Sequence, residues 1–157
     1  MRESKPEFNI KNTGKWRLAI ISCKWNHQFN DEMKNSAVDA LKSSGIPEDN
    51  ISLFESPGAF ELPVLCLKLA KSRKFDAIIC FGTIIRGDTY HFEIVANESA
   101  RGIMEVALGT AVPIFNGILT CNNIEQAEIR AGKHKENKGR EVALSALALL
   151  AEFDKIH

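Results

Sequence analysis

Four short apolar runs divide the chain, and the segments between them carry apolar residues at every third or fourth position. The runs cover residues 17–23, 51–54, 76–82 and 111–120, with Pro113 near the start of the last one. Continuous hydrophobicity is typical of strands that are covered on both faces. The pattern therefore predicts four strands of a parallel sheet, and Pro113 argues against pairing on both sides of the fourth strand at that point.

Helical spacing predicts the connecting elements. Residues 29–41 place apolar side chains at intervals of three and four, and Gly45 follows as a suitable C-terminal cap. Strands that alternate with helices form an α/β three-layer sandwich, with a parallel sheet between two layers of helices. Further helices are predicted over residues 60–72, 90–108, 124–131 and 140–153, with Asn122 or Asn123 capping the helix that begins at residue 124.

The length of the chain fits one domain. Its 157 residues can bury one proper core, but they are too few for two ordinary domains. Residues 1–15 are polar and predict a flexible N-terminal arm. Residues 16–157 are expected to form the folded domain.

Charge and cysteine usage exclude several classes of function. Lys plus Arg and Asp plus Glu both number 20, so the net charge is zero and no overall field attracts nucleic acid or an anionic membrane. No apolar run is long enough to span a membrane, and the N-terminus has no apolar signal core. Cys23, Cys66, Cys80 and Cys121 form no Cys-x-x-Cys pair. We expect buried free thiols, neither metal ligands nor disulfides, in a reducing cytoplasm.

The segment after the third strand carries the first candidate chemistry. Gly87, Asp88 and Thr89 form a loop between that strand and a helix that begins near Tyr90. Such a loop presents unpaired backbone N–H groups, and the helix N-terminus adds partial positive charge, so the two together predict an anion site. His91 falls in the first turn of the helix, where it can act as an acid–base group beside the anion.

The other strands are expected to bring further chemistry to the same edge of the sheet, because ligands of parallel α/β sheets gather at the carboxyl ends of the strands. Trp25 and Asn26 follow the first strand, residues 58–61 follow the second, and Phe115-Asn116 lie toward the end of the fourth. An aromatic plate, a carboxylate, backbone donors and an imidazole would suit a planar heterocycle together with a phosphorylated small molecule.

Several motifs in register along the chain resemble those of the 6,7-dimethyl-8-ribityllumazine synthase family. They are residues 56–63 (Ser-Pro-Gly-Ala-Phe-Glu-Leu-Pro), residues 82–93 (Gly-Thr-Ile-Ile-Arg-Gly-Asp-Thr-Tyr-His-Phe-Glu), Asn97-Glu98, residues 117–120 (Gly-Ile-Leu-Thr) and residues 125–132, which include Arg130. The resemblance covers residues 16–153, and several motifs in order are far more specific than one.

The resemblance implies a complete function. The family condenses 5-amino-6-(D-ribitylamino)uracil with 3,4-dihydroxy-2-butanone 4-phosphate to 6,7-dimethyl-8-ribityllumazine, with release of phosphate and water, at the penultimate step of riboflavin synthesis. It needs no metal and no organic cofactor. The implied fold is flavodoxin-like, with strand order 2-1-3-4. The implied assembly is a homopentamer, which in many members builds a sixty-subunit shell, with active sites between neighbouring subunits and riboflavin synthase as a partner.

The resemblance also assigns residues to the pyrimidine and its ribityl chain, and the residues themselves allow other interpretations. Trp25 would stack on the ring, but a core or interface tryptophan fits its position equally well. Glu61 would accept hydroxyl hydrogen bonds, although complementing a helix dipole explains it too. The backbone of residues 83–85 would read the uracil, or simply continue the strand. The full implied set is Trp25, Asn26, Ala59, Phe60, Glu61, Thr83, Ile84, Ile85 and Asn116.

The phosphate and the proton transfers are assigned in the same way. Arg130 would bind the phosphate from the adjacent subunit, whereas a lone exposed arginine is usually solvated surface. Asp88 would contribute its N–H group, or else cap the following helix. His91 would transfer protons, although a first-turn histidine is more often structural. The implied phosphate set is Gly87, Asp88, Thr89, Arg130 and Lys138, while His27, His134 and His157 are expected on the surface.

Two positions depart from the family pattern. Asn116 stands where the family usually has an aromatic residue over the pyrimidine ring, so apolar contact is replaced by a possible hydrogen bond. His134 stands where the family often has a lysine, near the phosphate and near contacts between pentamers, whereas Lys138 keeps its match. The alternative function is therefore a family paralogue with reduced catalysis that binds ligands or forms shells.

Overall fold

The computed structural model describes residues 4–157, so the first three residues of the predicted arm lie outside the described part. Within the arm, a short 3-10 turn at Thr13–Lys15 lies against the domain, because the Thr13 hydroxyl donates a hydrogen bond to the Ser44 carbonyl oxygen at 2.6 Å. The flexible arm and the domain boundary stay predictions.

A four-stranded parallel sheet organises the chain, and its strand order is β2-β1-β3-β4. This confirms the predicted α/β fold and the strand order that the resemblance implied. The strands are β1 (Leu18–Cys23), β2 (Ile51–Ser56), β3 (Ala77–Ile85) and β4 (Ile114–Cys121), and the helices are α1 (His27–Ser43), α2 (Leu62–Lys71), α3 (His91–Thr110), α4 (Ile124–Ala131) and α5 (Lys138–Asp154).

The hydrophobic core has two halves, one on each face of the sheet. Leu18 and Ile20 of β1 pack into the half that α1, α4 and α5 cover. Ala19 and Ile21 alternate with them and pack into the half beneath α2 and α3. All four residues are fully buried, which is why β1 is continuously apolar. The three-layer sandwich is confirmed.

Strand β3 is longer than predicted. It continues to Ile85, because residues 81–85 pair with residues 117–121 of β4. Its pairing with β1 ends earlier, at Phe81 opposite Ser22. The last four residues of β3 therefore have a strand on one side only.

The expected position of Asn116 at the end of the fourth strand is wrong. Strand β4 begins at Ile114, directly after Pro113, and runs to Cys121, so Asn116 lies in its first half, opposite Cys80. The strand extends further because the small Gly117 lets it pass close to the Phe81 ring, where an added Cβ would come within 2.5 Å. Asn116 is thus remote from the carboxyl end of the sheet.

Helix ends follow local capping chemistry. The Asn123 side chain accepts a hydrogen bond from the Gln126 N–H group and caps α4, which decides between the two predicted caps. Gly45 has a φ of 100° after the end of α1, as a C-terminal glycine requires. Helix α5 begins at Lys138, two residues before the predicted start, because the Asn137 side chain accepts from the Arg140 N–H group.

The second predicted helix begins later than expected. Residues Ala59–Glu61 form a 3-10 turn, and α2 starts at Leu62 with Pro63 in its first turn. Among residues 4–157, no helix is both long enough and apolar enough to cross a membrane.

Candidate active site

A cavity of about 460 Å³ opens at the carboxyl ends of the central strands, beside the start of α3. It brings together nine of the residues predicted to bind the pyrimidine or transfer protons. They come from the turns after β1 and β2, the end of β3 and the start of α3. The cavity is lined by Cys23, Trp25, Asn26, Gly58, Ala59, Phe60, Glu61, Thr83, Ile84, Ile85, His91 and Val95.

Asn30, which is fully buried in α1, shapes one wall of this cavity. Its side-chain nitrogen donates to the carbonyl oxygens of Cys23 and Trp25 at 2.7 and 2.8 Å. Its side-chain oxygen accepts from the Thr83 hydroxyl at 2.8 Å. One side chain therefore ties the loop after β1 to the end of β3, and sequence reasoning missed it.

Asn26 makes a second connection between the same two strands. It has a left-handed backbone (φ 59°), and its side-chain nitrogen donates to the Thr83 carbonyl oxygen at 2.8 Å. Asparagine tolerates this conformation better than most residues. Asn26 and Asn30 thus both connect the turn that carries Trp25 to the end of β3.

The end of β3 offers free backbone groups to the cavity. The N–H groups of Ile78 and Arg86 bond toward β4, so the alternate residues Thr83 and Ile85 direct their backbone groups toward the β1 side. Strand β1 no longer pairs there, and Asn26 takes only the Thr83 carbonyl oxygen. The strand continuation and the backbone recognition proposed for residues 83–85 are therefore compatible.

The turn between β2 and α2 supplies a fixed carboxylate. The Glu61 carboxylate accepts a hydrogen bond from the Gly58 N–H group at 3.1 Å, and the Ser56 hydroxyl donates to the Gly58 carbonyl oxygen at 2.9 Å. A Cβ at position 58 would approach both Glu61 and the Trp25 ring to 3.3 Å. Glycine therefore lets the turn lie directly beneath the indole.

Two aromatic side chains stand exposed at the cavity. Trp25 is 75% exposed and Phe60 is 55% exposed. The interpretation of Trp25 as a core tryptophan is therefore wrong. Large aromatic side chains are seldom this exposed on a surface that contacts only water. Such exposure is typical of sites that bind a ligand or a partner.

His91 is the first residue of α3 and lines the cavity. The preceding loop, with Gly87, Asp88 and Thr89, is exposed. The Thr89 hydroxyl lies 3.4 Å from the His91 backbone nitrogen, and no side chain caps the helix from its N-cap position, so the alternative of Asp88 as a cap finds no support. An added Cβ at Gly87 would meet no atom of the chain within 4 Å.

Six predicted site residues do not line this cavity. Gly87, Asp88 and Thr89 are in the adjacent loop before α3, and the other three lie elsewhere. Asn116 lines another cavity of about 400 Å³, between β4 and α3, and its side-chain oxygen accepts from the Ile118 N–H group at 2.8 Å. Arg130 is exposed on α4. The Lys138 amine lies 2.7 Å from a Glu141 carboxylate oxygen on α5.

Arg86 organises the cavity that contains Asn116. Its guanidinium pairs with the Glu93 carboxylate, donates to the Asn122 side-chain oxygen at 3.0 Å and lies 4.2 Å from the centre of the Phe92 ring. The Arg86 hydrogen bond lowers the pKa of Glu93. The pair thus keeps the start of α3 attached to the end of β3.

The four cysteines are buried free thiols, as predicted. Burial, together with the charges of Glu61 and Cys66, raises the pKa of Cys23 to about 12. Its thiol therefore stays protonated near neutral pH and presents an apolar, unreactive wall to the cavity. His27, His134 and His157 are exposed, as predicted.

The sequence contained weak signals for the lining residues that were missed. Cys23 ends β1, so the rule that ligands gather at carboxyl ends would have included it. Val95 lies four residues after His91 on α3 and shares its face. Nothing in the sequence around Asn30 distinguishes it from a solvated helix residue.

The fold and the cavity together define a class: a parallel α/β protein with an open cavity, lined by aromatic and polar side chains, at the carboxyl edge of its sheet. Among residues 4–157, no group of three or more His, Cys, Asp or Glu side chains is placed to hold a metal ion.

Comparison with known proteins identifies the family within that class. The family profile for 6,7-dimethyl-8-ribityllumazine synthase matches residues 15–153. A 6,7-dimethyl-8-ribityllumazine synthase of Desulfatibacillum aliphaticivorans is 45% identical over 134 residues, which cover 85% of this chain and 86% of that protein. The chain belongs to the 6,7-dimethyl-8-ribityllumazine synthase family, a family of transferases in riboflavin biosynthesis.

Proposed function

We propose that the chain condenses 5-amino-6-(D-ribitylamino)uracil with 3,4-dihydroxy-2-butanone 4-phosphate to form 6,7-dimethyl-8-ribityllumazine, phosphate and water. The observation that supports this best is the single cavity that holds an exposed indole, free strand-edge backbone and an imidazole. These are the three kinds of group that a flat amide-bearing ring and a proton-dependent condensation require.

The pyrimidine is the ligand of the inner part of the cavity in this proposal. Trp25 stacks on the ring, and the backbone groups of Ile85 meet its amide edge as a neighbouring strand would. Glu61, already fixed by Gly58, accepts hydrogen bonds from the ribityl hydroxyls. Asn26, Ala59, Phe60, Thr83 and Ile84 complete the pyrimidine and ribityl site.

The butanone phosphate lies against the loop before α3. The exposed N–H groups of residues 87–89 and the N-terminus of this 20-residue helix favour an anion. His91 is next to that loop. The amine of the pyrimidine and the ketone of the butanone phosphate first form a carbinolamine, and His91 can deliver a proton to the hydroxyl that departs from it as water. It can also remove the carbon-bound proton whose loss accompanies departure of phosphate. No covalent bond to the protein is needed.

A second subunit completes the site in our proposal. Asn116 and Arg130 lie away from the cavity, and β4 is an edge of the sheet. A neighbour that presents its β4 and α4 to the cavity would add both residues, with the Arg130 guanidinium bound to the phosphate. Lys138 is proposed as a further phosphate contact, although Glu141 competes for its amine.

Exposed apolar surface supports such an assembly. Helix α3 buries only Ser99 and Ile103, while Met104 and Leu108 are 59% and 78% exposed. Exposed apolar side chains on one helix are typical of an interface. We propose a homopentamer in the cytoplasm, able to build a sixty-subunit shell and to associate with riboflavin synthase, as the family resemblance implies.

The reaction itself is the decisive experiment. Purified protein mixed with both substrates should form fluorescent lumazine faster than the same mixture without protein. Formation at only the spontaneous rate would contradict the proposal. Bound lumazine without turnover would instead favour the paralogue that only binds ligands.

Arg130→Ala tests the shared site. Losing a charge-assisted contact should raise the KM for the butanone phosphate about tenfold or more and leave the KM for the pyrimidine nearly unchanged. Arg17→Ala, which removes an exposed arginine directly before β1, at the opposite end of the sheet from the cavity, is the matched control and should change neither. Equal loss of affinity for both substrates would contradict the role of Arg130.

A further inference from the structure

The buried Asn30 side chain lies behind the candidate active site and does not line it. Asn30 is the fourth residue of α1 and is fully buried, and the lining of the cavity that contains His91 does not include it. Two of its hydrogen-bond partners, Trp25 and Thr83, do line that cavity. Any influence of Asn30 on a bound ligand therefore passes through the groups that it holds.

Thr83 is held by two side chains beyond the point at which β3 stops pairing with β1. That pairing ends with Phe81 opposite Ser22. The Thr83 hydroxyl donates to the Asn30 side-chain oxygen at 2.8 Å, and the Thr83 carbonyl oxygen accepts from the Asn26 side-chain nitrogen at 2.8 Å. Two asparagine side chains thus anchor the end of β3 where the neighbouring strand no longer does.

The Asn30 amide has only one orientation that satisfies its neighbours. Its nitrogen faces the carbonyl oxygens of Cys23 and Trp25, and its oxygen faces the Thr83 hydroxyl. A flipped amide would place its oxygen against two carbonyl oxygens, which cannot donate. The bonds to Cys23 and Thr83 are buried, where a missing hydrogen bond is costly. The network therefore holds the turn that carries Trp25 and the end of β3 at one separation.

This separation matters for one of the two proposed substrates. In the proposed function the pyrimidine lies between Trp25 and the free edge of β3. Its ring stacks on the indole while its amide edge meets the backbone of Ile85, so both contacts form together only when the two walls are correctly spaced. The butanone phosphate is assigned to the loop of residues 87–89, which takes no part in the hydrogen bonds of Asn30.

We propose that Asn30 and Thr83 are positioning residues for the pyrimidine substrate. Their buried hydrogen bond sets the distance between the indole and the strand edge, and thereby the affinity for a planar ring that carries an amide, although Asn30 does not touch the ring. The inference rests on the proposed function. It adds a residue from outside the cavity to the determinants of pyrimidine affinity.

Calorimetric titration of the full-length protein with 6,7-dimethyl-8-ribityllumazine, which keeps the pyrimidine ring and the ribityl chain, tests the proposal. Thr83→Val removes the hydroxyl at nearly constant shape and should raise the Kd about tenfold, whereas Thr83→Ser keeps the hydroxyl and should stay within about twofold.

Thr13→Val is the matched control for the titration. Thr13 and Thr83 are both 4% exposed, and the Thr13 hydroxyl also donates to a backbone carbonyl oxygen, that of Ser44 at 2.6 Å. Thr13 precedes β1 and is therefore at the opposite end of the sheet from the cavity. Its variant should bind lumazine like the unaltered protein. Undiminished binding by Thr83→Val, or equal weakening by Thr13→Val, would overturn the proposal.

Steady-state kinetics separate positioning from general damage to the fold. In Thr83→Val the KM for the pyrimidine should rise about tenfold, while the KM for the butanone phosphate and kcat at saturation should change by less than about twofold, because uniform binding of one substrate is lost. Thr83→Ser should restore the KM for the pyrimidine. An equal rise in both KM values, or a fall in kcat alone, would contradict the assigned role.

A double-mutant cycle shows whether the two residues act through their shared bond. The binding losses of Thr83→Val and Asn30→Ala should not add in the double variant, since either change alone breaks the same hydrogen bond. Fully additive losses would mean that Thr83 affects the ring without Asn30, which overturns the proposal. The comparison of Thr83→Val with Thr83→Ser decides the question by itself where Asn30→Ala does not fold.

The unaltered protein distinguishes failure of this inference from failure of the proposed function. If it neither binds nor forms lumazine, the proposed function fails, and the positioning role fails with it. If it binds and forms lumazine and Thr83→Val does so equally well, only the positioning role is overturned.

Discussion

At the scale of single residues, buried hydrogen bonds determine the shape of the candidate active site. Asn30 spans the gap between the loop after β1 and the end of β3, with contacts to Cys23, Trp25 and Thr83. None of these contacts involves a charge. The bonds to Cys23 and Thr83 are buried, and the bond to Trp25 is partly buried. A buried amide that uses both ends of its side chain is costly to replace, because its former partners lose their bonds without gaining water.

Asn30→Ala should therefore lower the free energy of unfolding by about 2–4 kcal/mol, since three hydrogen bonds are lost and buried groups are orphaned. Denaturant unfolding followed by circular dichroism measures this. Asn35→Ala, at an exposed position of the same helix, is the control and should stay within about 0.5 kcal/mol, because alanine favours helices. Similar values for the two variants would show that the network adds little.

His91→Ala should slow turnover about a hundredfold, because a positioned acid–base group is lost. A measurable rate should remain, since the cavity still holds both substrates next to each other. Lumazine fluorescence under saturating substrates gives the rate. His27→Ala, which removes an exposed histidine outside the cavity, should have the turnover rate of the unaltered protein. Unchanged turnover in His91→Ala would remove the imidazole from the mechanism.

At the scale of secondary-structure elements, unequal strand lengths create the binding edge. Strand β3 extends four residues beyond its last pairing with β1, and those residues pair only with β4. The free side of Thr83 and Ile85 is therefore a short unpaired strand edge, enclosed by the loops that carry Trp25 and Glu61. Enclosure protects this edge from the indiscriminate pairing to which open edges are prone.

The close contact between α1 and α5 depends on Gly139. Gly139→Ala should destabilise the protein by about 1–3 kcal/mol or more, because the new Cβ would lie 2.1 Å from the backbone of Met33 and the helices would have to separate. The midpoint of thermal unfolding should fall accordingly.

Gly109→Ala is the matched control for this prediction. It also lies in a helix, but an added Cβ would meet no atom of the chain within 4 Å. Alanine should be neutral there, or stabilising by up to about 1 kcal/mol through helix propensity. Equal destabilisation by both variants would show that backbone freedom, rather than the close approach of the helices, is the reason for Gly139.

At the scale of the whole molecule, surface exposure indicates that one chain is incomplete. Apolar side chains remain exposed on α3, and Asn116 and Arg130 are separated from the cavity that they are proposed to serve. Family membership is established, whereas the number of subunits is our proposal.

Met104→Glu should therefore shift the protein to smaller assemblies, because a charge placed at the same interface of every subunit must be desolvated. Light scattering coupled to size exclusion measures the mass. Ile156→Glu is the control, since it places a charge at a residue that is 77% exposed near the C-terminus. If the mass of Met104→Glu equals that of the unaltered protein, this face of α3 lies outside the interface.

The sequence alone was sufficient for the layered α/β fold and for most of the cavity. Continuous apolar runs identify strands buried on both faces, because burial on both sides leaves no polar positions. The carboxyl-end rule then selects Trp25, Asn26, Glu61 and His91 without any coordinates. These features depend on local pattern and chain topology, which a sequence carries directly.

Other features were decided only by tertiary structure. The extension of β3 to Ile85, the position of Asn116 within β4, and the bridging role of Asn30 depend on contacts between residues far apart in the chain. A local sequence pattern does not specify which distant group a backbone N–H or carbonyl group will bond.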